Sequence, residues 1–207
     1  MSDPWLKRWN DRYSEKEYAF GTQPNVFLEE QLKHLSPGRI LFGAEGEGRN
    51  AVFAARNGWN AHAFDISVEG KKKALELAKE QHVNIDYKVG QLTDIDYAIE
   101  TFDAVALIYA HFPIEIRSTY HQLLAKLVKP GGHVILEAFG KEHLKYREAN
   151  PKIGGPRDLD TLISISELER DFKDFQSIIL EEKEVQLQEG LYHNGTGWAV
   201  RFVGKKH

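Results

Sequence analysis

The stretch Arg39-Ile40-Leu41-Phe42-Gly43-Ala44-Glu45-Gly46-Glu47-Gly48, running into the helical spacing of Arg49 to Asn57 and stopping at Gly58, decides the fold. A short apolar run, a glycine turn and a helix, in that order, open a βαβ unit. The same order repeats downstream. Asn60 to Phe64 reads as a second strand ending at Asp65, and Ser67 caps a helix over Val68 to Gln81. Ile85 to Val89 reads as a third strand. The fourth, Ala104 to Tyr109, is almost wholly apolar, as expected for a strand covered on both faces. A helix follows over Ile116 to Val128, halted by Lys129-Pro130-Gly131-Gly132, and His133 to Phe139 forms a fifth strand. Upstream, Asn25 caps a helix from Val26 toward Leu35 that stops at Ser36-Pro37-Gly38.

Beyond Phe139 the pattern changes. Residues 140–165, with Pro151, Gly154, Gly155 and Pro156, read as a long loop. Ser166-Glu167-Leu168-Glu169 fits a capping box that opens a short helix. Alternating segments at Ile178–Leu187 and Trp198–Val203 flank a turn-rich connection and read as an antiparallel pair. The expectation is an α/β fold: a doubly wound, mostly parallel seven-stranded sheet with helices on both faces and an antiparallel C-terminal strand, in a single domain over 1–207.

A glycine turn between strand and helix presents backbone N–H groups at the carboxyl end of the sheet. Dinucleotide enzymes use G-x-G-x-x-G there to hold a pyrophosphate. Here the order is G-x-x-G-x-G, and Glu45 and Glu47 bring negative charge to the turn. A ligand with cationic groups suits that field better; S-adenosylmethionine (SAM), with a sulfonium and an ammonium, is one. Asp65, at the end of the next strand, is placed to accept hydrogen bonds from ribose hydroxyls. The turn and Asp65 together point to an adenosine-containing ligand.

Bulk properties narrow the partners. The 207 residues carry a net charge of −4 with no basic block, which disfavours nucleic acid. No cysteine is present for a disulfide, a thiolate zinc site or a thiol nucleophile. The charged start does not read as a signal peptide, and no apolar run is long enough for a membrane span. The expectation is a cytoplasmic protein, monomer or homodimer, acting on a small molecule. His111, His133 and His193 lack metal-ligand spacing, so no metal is expected.

Several tracts carry a resemblance: Trp9-Asn10-Asp11-Arg12-Tyr13, Phe20-Gly21-Thr22-Gln23-Pro24-Asn25, Gly46-Glu47-Gly48-Arg49-Asn50, Phe64-Asp65-Ile66-Ser67, Phe102-Asp103, Tyr109-Ala110-His111-Phe112-Pro113 and Lys129-Pro130-Gly131-Gly132. The chain resembles class I SAM-dependent methyltransferases, and within them the small bacterial tellurite-resistance and thiopurine-type branch. The resemblance thins after residue 140. It implies SAM as cofactor, S-adenosylhomocysteine as product, and a small thiol or an oxyanion such as tellurite as acceptor. It places Glu45, Gly46 and Gly48 along the methionine part, with Ala44 and Asn50 also among the cofactor-binding residues. Asp65 falls on the ribose, Ile66, Gln91 and Leu92 at the adenine, and Tyr109, Ala110 and His111 at the methyl group. Trp9, Arg12 and Tyr13 fall in an amino-terminal segment, residues 1–24, folding over the cofactor as a lid. Three positions depart from the family pattern: Phe42 stands where an acid is usual, Ala44 replaces the first glycine, and Gln91 replaces the acid after the third strand.

Methyl transfer needs alignment, exclusion of water and, for some acceptors, a base. His111 is the candidate base, with Tyr13 a second candidate in the chemistry; a His111 bonded to loop backbone is the competing reading. Arg117 and Arg157 could bind an anionic acceptor or could be solvated, and Tyr18 and Phe20 could wall its pocket or pack beneath the amino-terminal segment. His193 reads as a hairpin residue, and Lys71-Lys72-Lys73 as a solvated helix face. Two other functions stay open: a non-catalytic SAM-fold binding protein and an NAD-dependent oxidoreductase, the latter disfavoured by the glycine order.

Overall fold

The computed structural model describes residues 4–207. Strands β1 (Arg39–Gly43), β2 (Asn60–Asp65), β3 (Asp86–Val89), β4 (Phe102–Ile108), β5 (Val128–Phe139), β6 (Phe175–Glu189) and β7 (His193–Lys206) form one sheet in the order β3-β2-β1-β4-β5-β7-β6. The first five run parallel, and β7 is antiparallel to both its neighbours. The expected antiparallel hairpin is therefore present, but β7 is inserted between β5 and β6, so β6 forms the edge.

The strand order reverses between β1 and β4. Chain crossovers leave in opposite directions there, and a crevice opens beyond the carboxyl ends of the strands. Central strand β4 justifies its unbroken apolar reading: Phe102, Ala104, Val105, Ala106 and Leu107 are all at most 1% exposed. One face carries α5 (Ile114–Leu127) and α7 (Ile165–Asp171), with Leu124, Leu168 and Phe172 against Val105, Leu136 and Phe202. The other carries α2 (Val26–Leu32) and α3 (Arg49–Arg56), with Phe27, Leu28, Ala51 and Ala54 against Ile40, Phe42 and Ala104. Phe42, at the position usually acidic, is thus a core residue. Helix α4 (Val68–Glu80) completes the crossover to β3.

The caps at Asn25 and Ser67 form as expected, accepting from Leu28 N–H at 2.9 Å and Gly70 N–H at 3.1 Å. Gly48 has φ +86°, and a Cβ there would lie 2.5 Å from the Ala74 side chain. Only glycine lets α3 pack this closely on α4.

Pro4–Tyr13, assigned no secondary structure from the sequence, is a helix, α1, with Trp5, Trp9 and Tyr13 at i,i+4 spacing and in ring contact. Three local expectations need correction. Residues 140–165 are not all loop, because α6 (His143–Ala149) and a short 3-10 turn at Pro151–Ile153 lie within them. The capping box starts at Ser164, not Ser166: the Ser164 hydroxyl and Glu167 carboxylate close it reciprocally. Lys73 is not solvated. It is buried and donates to Glu47 at 2.8 Å and to the Glu17 carbonyl at 2.6 Å. Among the described residues no helix is long and apolar enough to cross a membrane.

Candidate functional site

A cavity of about 780 Å³ opens at the carboxyl ends of β1, β2, β4 and β5, beside the point where the strand order reverses. That volume suits a small-molecule site. Of the residues singled out in the sequence, the cavity brings together Trp9, Arg12, Tyr13, Phe20, Ala44, Glu45, Asn50, Asp65, Ile66, Gln91, Leu92, Tyr109, Ala110, His111 and Arg157. Gly46, Gly48, Tyr18 and Arg117 lie outside its wall.

The two carboxylates on the β1–β2 side are held differently. Asp65 accepts Gly46 N–H at 3.0 Å and Ser67 N–H at 2.8 Å. Burial raises its pKa to about 6, against the lowering effect of those N–H donors. A carboxylate has about four acceptor positions, so it retains capacity for a ligand hydroxyl. Glu45 turns to the N-terminus of α3, where one oxygen accepts Asn50 N–H at 2.9 Å and Ala51 N–H at 2.8 Å. Burial lifts it to about 7, with the Ala51 N–H, Arg49 and Asn50 pulling the other way. The helix N-terminus that would seat a pyrophosphate is therefore filled by the chain's own carboxylate. Glu47 faces away from the cavity and joins Lys73 to the amino-terminal segment, accepting Ala19 N–H at 2.7 Å. Only one of the two turn glutamates lines the cavity.

Ala44 sits at φ +51° and Tyr109 at φ +53°, both in the left-handed region and both on the cavity wall. Ala44 occupies the usual glycine position and shows why glycine is usual there: a Cβ crowds the backbone. The Tyr109 hydroxyl is buried without a hydrogen-bond partner among the described residues. Gln91 accepts from the Tyr120 hydroxyl at 3.1 Å, which fixes its carbonyl oxygen on the cavity wall.

His111 is saturated. Its Nδ1 pairs with the Thr161 carbonyl at 3.1 Å, and Nε2 accepts Phe139 N–H at 3.2 Å. Burial drives its pKa down to about 3, so the ring is neutral with no free lone pair. Of the two readings the sequence left open, this geometry is that of a histidine bonded to backbone. Tyr13, also buried, has its pKa raised well above the ordinary phenol by burial and then by Asp65 and Glu47, which keeps its proton in place. Arg117 is only 2% exposed and donates to the Thr161 carbonyl and to Glu167. It ties α5 to α7, and is neither solvated nor turned to the cavity. Tyr18 donates to the Lys73 carbonyl at 3.2 Å with the Lys73 ammonium over its ring, an anchor for the amino-terminal segment.

The cavity wall also holds a basic cluster. Arg8 and Arg12 from α1, Arg147 from α6 and Arg157 from the following loop all line the cavity, and none forms an ion pair among the described residues. Arg8 is held over Trp5 and Trp9, and Arg12 over Trp9 and, at 4.3 Å, Tyr192. Burial and then the neighbouring Arg12 and Arg157 lower the pKa of Arg8; burial and then Arg157 lower that of Arg147. The guanidiniums repel one another and would each gain from a shared anion. Sequence reasoning identified Arg157 and Arg12 but missed Arg8, Arg147, Tyr192 and the cavity-facing position of His193. The i,i+4 spacing of Arg8 and Arg12 was the available signal; Arg147 lay in a segment read as loop. Among the described residues no group of three or more His, Asp or Glu could hold a metal ion.

Residues 40–132 match the model of a methyltransferase domain. The chain is 26% identical over 145 residues to a ubiquinone/menaquinone biosynthesis C-methyltransferase of Geotalea daltonii. That alignment covers 62% of this chain and 61% of the relative. Among solved structures, a protein of echinomycin biosynthesis, studied for conversion of a disulfide into a thioacetal, superposes with a TM-score of 0.75 at 16% identity, covering 98% of this chain and 92% of that one. TehB from Haemophilus influenzae has a TM-score of 0.69 at 16% identity, covering 87% of this chain and 61% of its own. The magnesium protoporphyrin IX methyltransferase of Synechocystis, solved with bound S-adenosylhomocysteine, has 0.67 at 15% identity, over 98% and 94%. These structures share the fold of this chain.

Proposed function

We propose that the SAM-dependent methyltransferase domain of this chain transfers the cofactor's methyl group to a small anionic acceptor. The observation that carries this reading is the make-up of a single cavity: Glu45, Asp65 and the Tyr109-Ala110 turn line it together with four guanidiniums that form no ion pair among the described residues. A ligand carrying a sulfonium and an ammonium suits the carboxylates, and an anion suits the guanidiniums. Within this reading Asp65 binds the ribose, and Ile66, Gln91 and Leu92 border the adenine. Ala44, Glu45 and Asn50 meet the methionine part, while Gly46 and Gly48 shape the turn from behind. Trp9 and Tyr13 cover the cofactor from α1, as part of a lid formed by the amino-terminal segment, of which residues 1–3 lie outside the described residues.

The residues present fit this cofactor. Glu45 compensates for the absent acid at Phe42, and Asp65 retains acceptor capacity. When bound, SAM supplies an electrophilic methyl carbon. The protein binds both partners, aligns them and excludes water. The chain's resemblance to tellurite-resistance and thiopurine-type enzymes favours an oxyanion or a thiol as acceptor, and the arginines favour whichever form is anionic. His111 acts here as a wall rather than a base. An NAD-dependent oxidoreductase is disfavoured because Glu45 fills the pyrophosphate seat.

Calorimetric titration with SAM, S-adenosylhomocysteine and NAD tests the cofactor. Saturable binding of the two adenosyl ligands, lost in Asp65→Ala, is expected, with none for NAD. Binding without conversion of SAM to S-adenosylhomocysteine by any small acceptor would favour the non-catalytic reading.

A further inference from the structure

With His111 saturated and Tyr13 holding its proton, a protic acceptor would still need a base. His193, the first residue of β7, is on the cavity wall and 4% exposed. Its Nδ1 pairs with Glu189 at 2.9 Å, across the turn that joins β6 to β7. Glu189 is itself fixed on two further sides: Arg49 donates to it at 2.9 Å and Asn25 at 3.1 Å. A buried carboxylate needs such partners, and together they fix the oxygen that meets the His193 imidazole. No partner for Nε2 is found among the described residues. The adjacent Cδ2 lies next to Gly154, also on the cavity wall, 3.1 Å from where a Cβ there would stand. The ring is packed by Phe20 at 4.5 Å, Tyr109 at 4.7 Å and Phe139 at 5.2 Å. Tyr109 belongs to the turn placed at the methyl group, so His193 flanks that point.

We propose that His193 is the general base of this methyltransferase, oriented by Glu189 as its positioning residue, and that the acceptor, in place of the thiol or tellurite the resemblance favours, is a protic O–H or N–H nucleophile carrying an anionic group for the arginines. The inference rests on the methyl-transfer reading. In the step, Nε2 takes the acceptor proton while the acceptor's electron pair forms the bond to the methyl carbon. The carbon–sulfur pair returns to sulfur, leaving a neutral thioether and an imidazolium paired with Glu189. Burial would raise Glu189, but His193 and Arg49 outweigh it and hold the carboxyl at about 2, so it is charged throughout. Burial lowers His193, Glu189 opposes, and Arg49 and Arg12 add to the lowering; Tyr109 and His143 also face it. The free base is therefore the form present at neutral pH.

The test uses full-length protein with 15N-labelled imidazoles, saturated with S-adenosylhomocysteine and followed by long-range 1H–15N spectra from pH 5 to 9. His193 is assigned by loss of its signals in His193→Gln. At pH 7 it is expected as the Nδ1–H tautomer with unprotonated Nε2, and Glu189→Gln should abolish that preference. An Nε2–H tautomer, or an imidazolium persisting at pH 8, would overturn the proposal. Diethyl pyrocarbonate supplies a readout that a structural histidine would not give. His193 should react along its free-base titration while His111 stays unmodified, and an inert His193 overturns the proposal. With 4-hydroxybenzoate as probe acceptor, His193→Gln should lower transfer by about a hundredfold or more. Equal transfer to 4-mercaptobenzoate or tellurite by both proteins, with none to the hydroxyl probe, would overturn the protic assignment. Failure to bind S-adenosylhomocysteine would instead remove the parent reading.

Discussion

The acidic and basic parts of the cavity wall are built in opposite ways. The acidic part comes from consecutive βα turns: Ala44 and Glu45 after β1, Asp65 and Ile66 after β2, Gln91 and Leu92 after β3. Each residue lies at the end of a regular strand, so the sheet itself fixes its position. The basic part is assembled from α1, from α6 with the loop after it, and from the β6–β7 turn, segments far apart in the chain. A ligand common to a fold can be bound by the fold's repeating part, and a ligand particular to one protein by the parts that do not repeat.

That division can be broken most severely at Asp65. Asp65→Ala removes a buried, hydrogen-bonded carboxylate and is expected to cost at least a hundredfold in adenosyl-ligand affinity, about 3 kcal/mol. Calorimetry reads it directly; a loss under fivefold would mean that the acidic part is not the cofactor's. In the basic part, Arg147→Ala and Arg157→Ala should each raise the KM of an anionic acceptor about tenfold while leaving the Kd for S-adenosylhomocysteine within twofold. Equal effects on both ligands would merge the two halves into one site.

The pH response sharpens the contrast. Glu45 and Asp65, with folded pKa values near 7 and 6, hold protons that the unfolded chain has already released. Their contribution to stability is therefore full at about pH 4 and falls as pH rises through 6 and 7. A cation favours their ionised forms, so affinity for SAM should rise several-fold from pH 5.5 to 7.5, with proton release visible in buffers of differing ionisation enthalpy. Proton uptake on binding would contradict this electrostatic account. The smallest effect concerns Ala44. At φ +51° it is strained, and Ala44→Gly should recover about 1 kcal/mol, a rise of roughly 2–4 °C in Tm. An unchanged or lower Tm would show that the glycine's added freedom in the unfolded chain offsets the relief.

The sequence was legible where local patterns and tertiary position coincide. Caps at Asn25 and Ser67, the apolar run of β4 and the acid ending β2 each signal their place within a few residues. It was illegible where a residue's role depends on a remote partner. Lys73 looks like one of three solvated lysines until Glu47 and the Glu17 carbonyl are seen beside it. Arg117 looks like a surface charge until the Thr161 carbonyl and Glu167 enclose it. His111 stands in the expected place after β4, but both its nitrogens are taken by backbone that comes from 28 and 50 residues away.

The pairing of β7 has a consequence for motion. Its ladder with β5 runs only from Ala199 to Lys205, whereas its ladder with β6 continues to His193. Along residues 193–198 the edge away from β6 is instead bonded by α6 and its surroundings: Gly140 N–H donates to the Trp198 carbonyl at 3.0 Å, Trp198 N–H to His143 at 3.3 Å and Asn150 to the Asn194 carbonyl at 3.2 Å. An edge held by a few bonds to a short helix and a loop opens at lower free energy than one held by a strand ladder. Amide hydrogen exchange should be faster at 193–198 than at 199–205. The β6–β7 turn, α6 and the loop after it thus share one seam, so the parts around Arg147, Arg157 and Tyr192 would loosen together while β1, β2 and β3 stay paired.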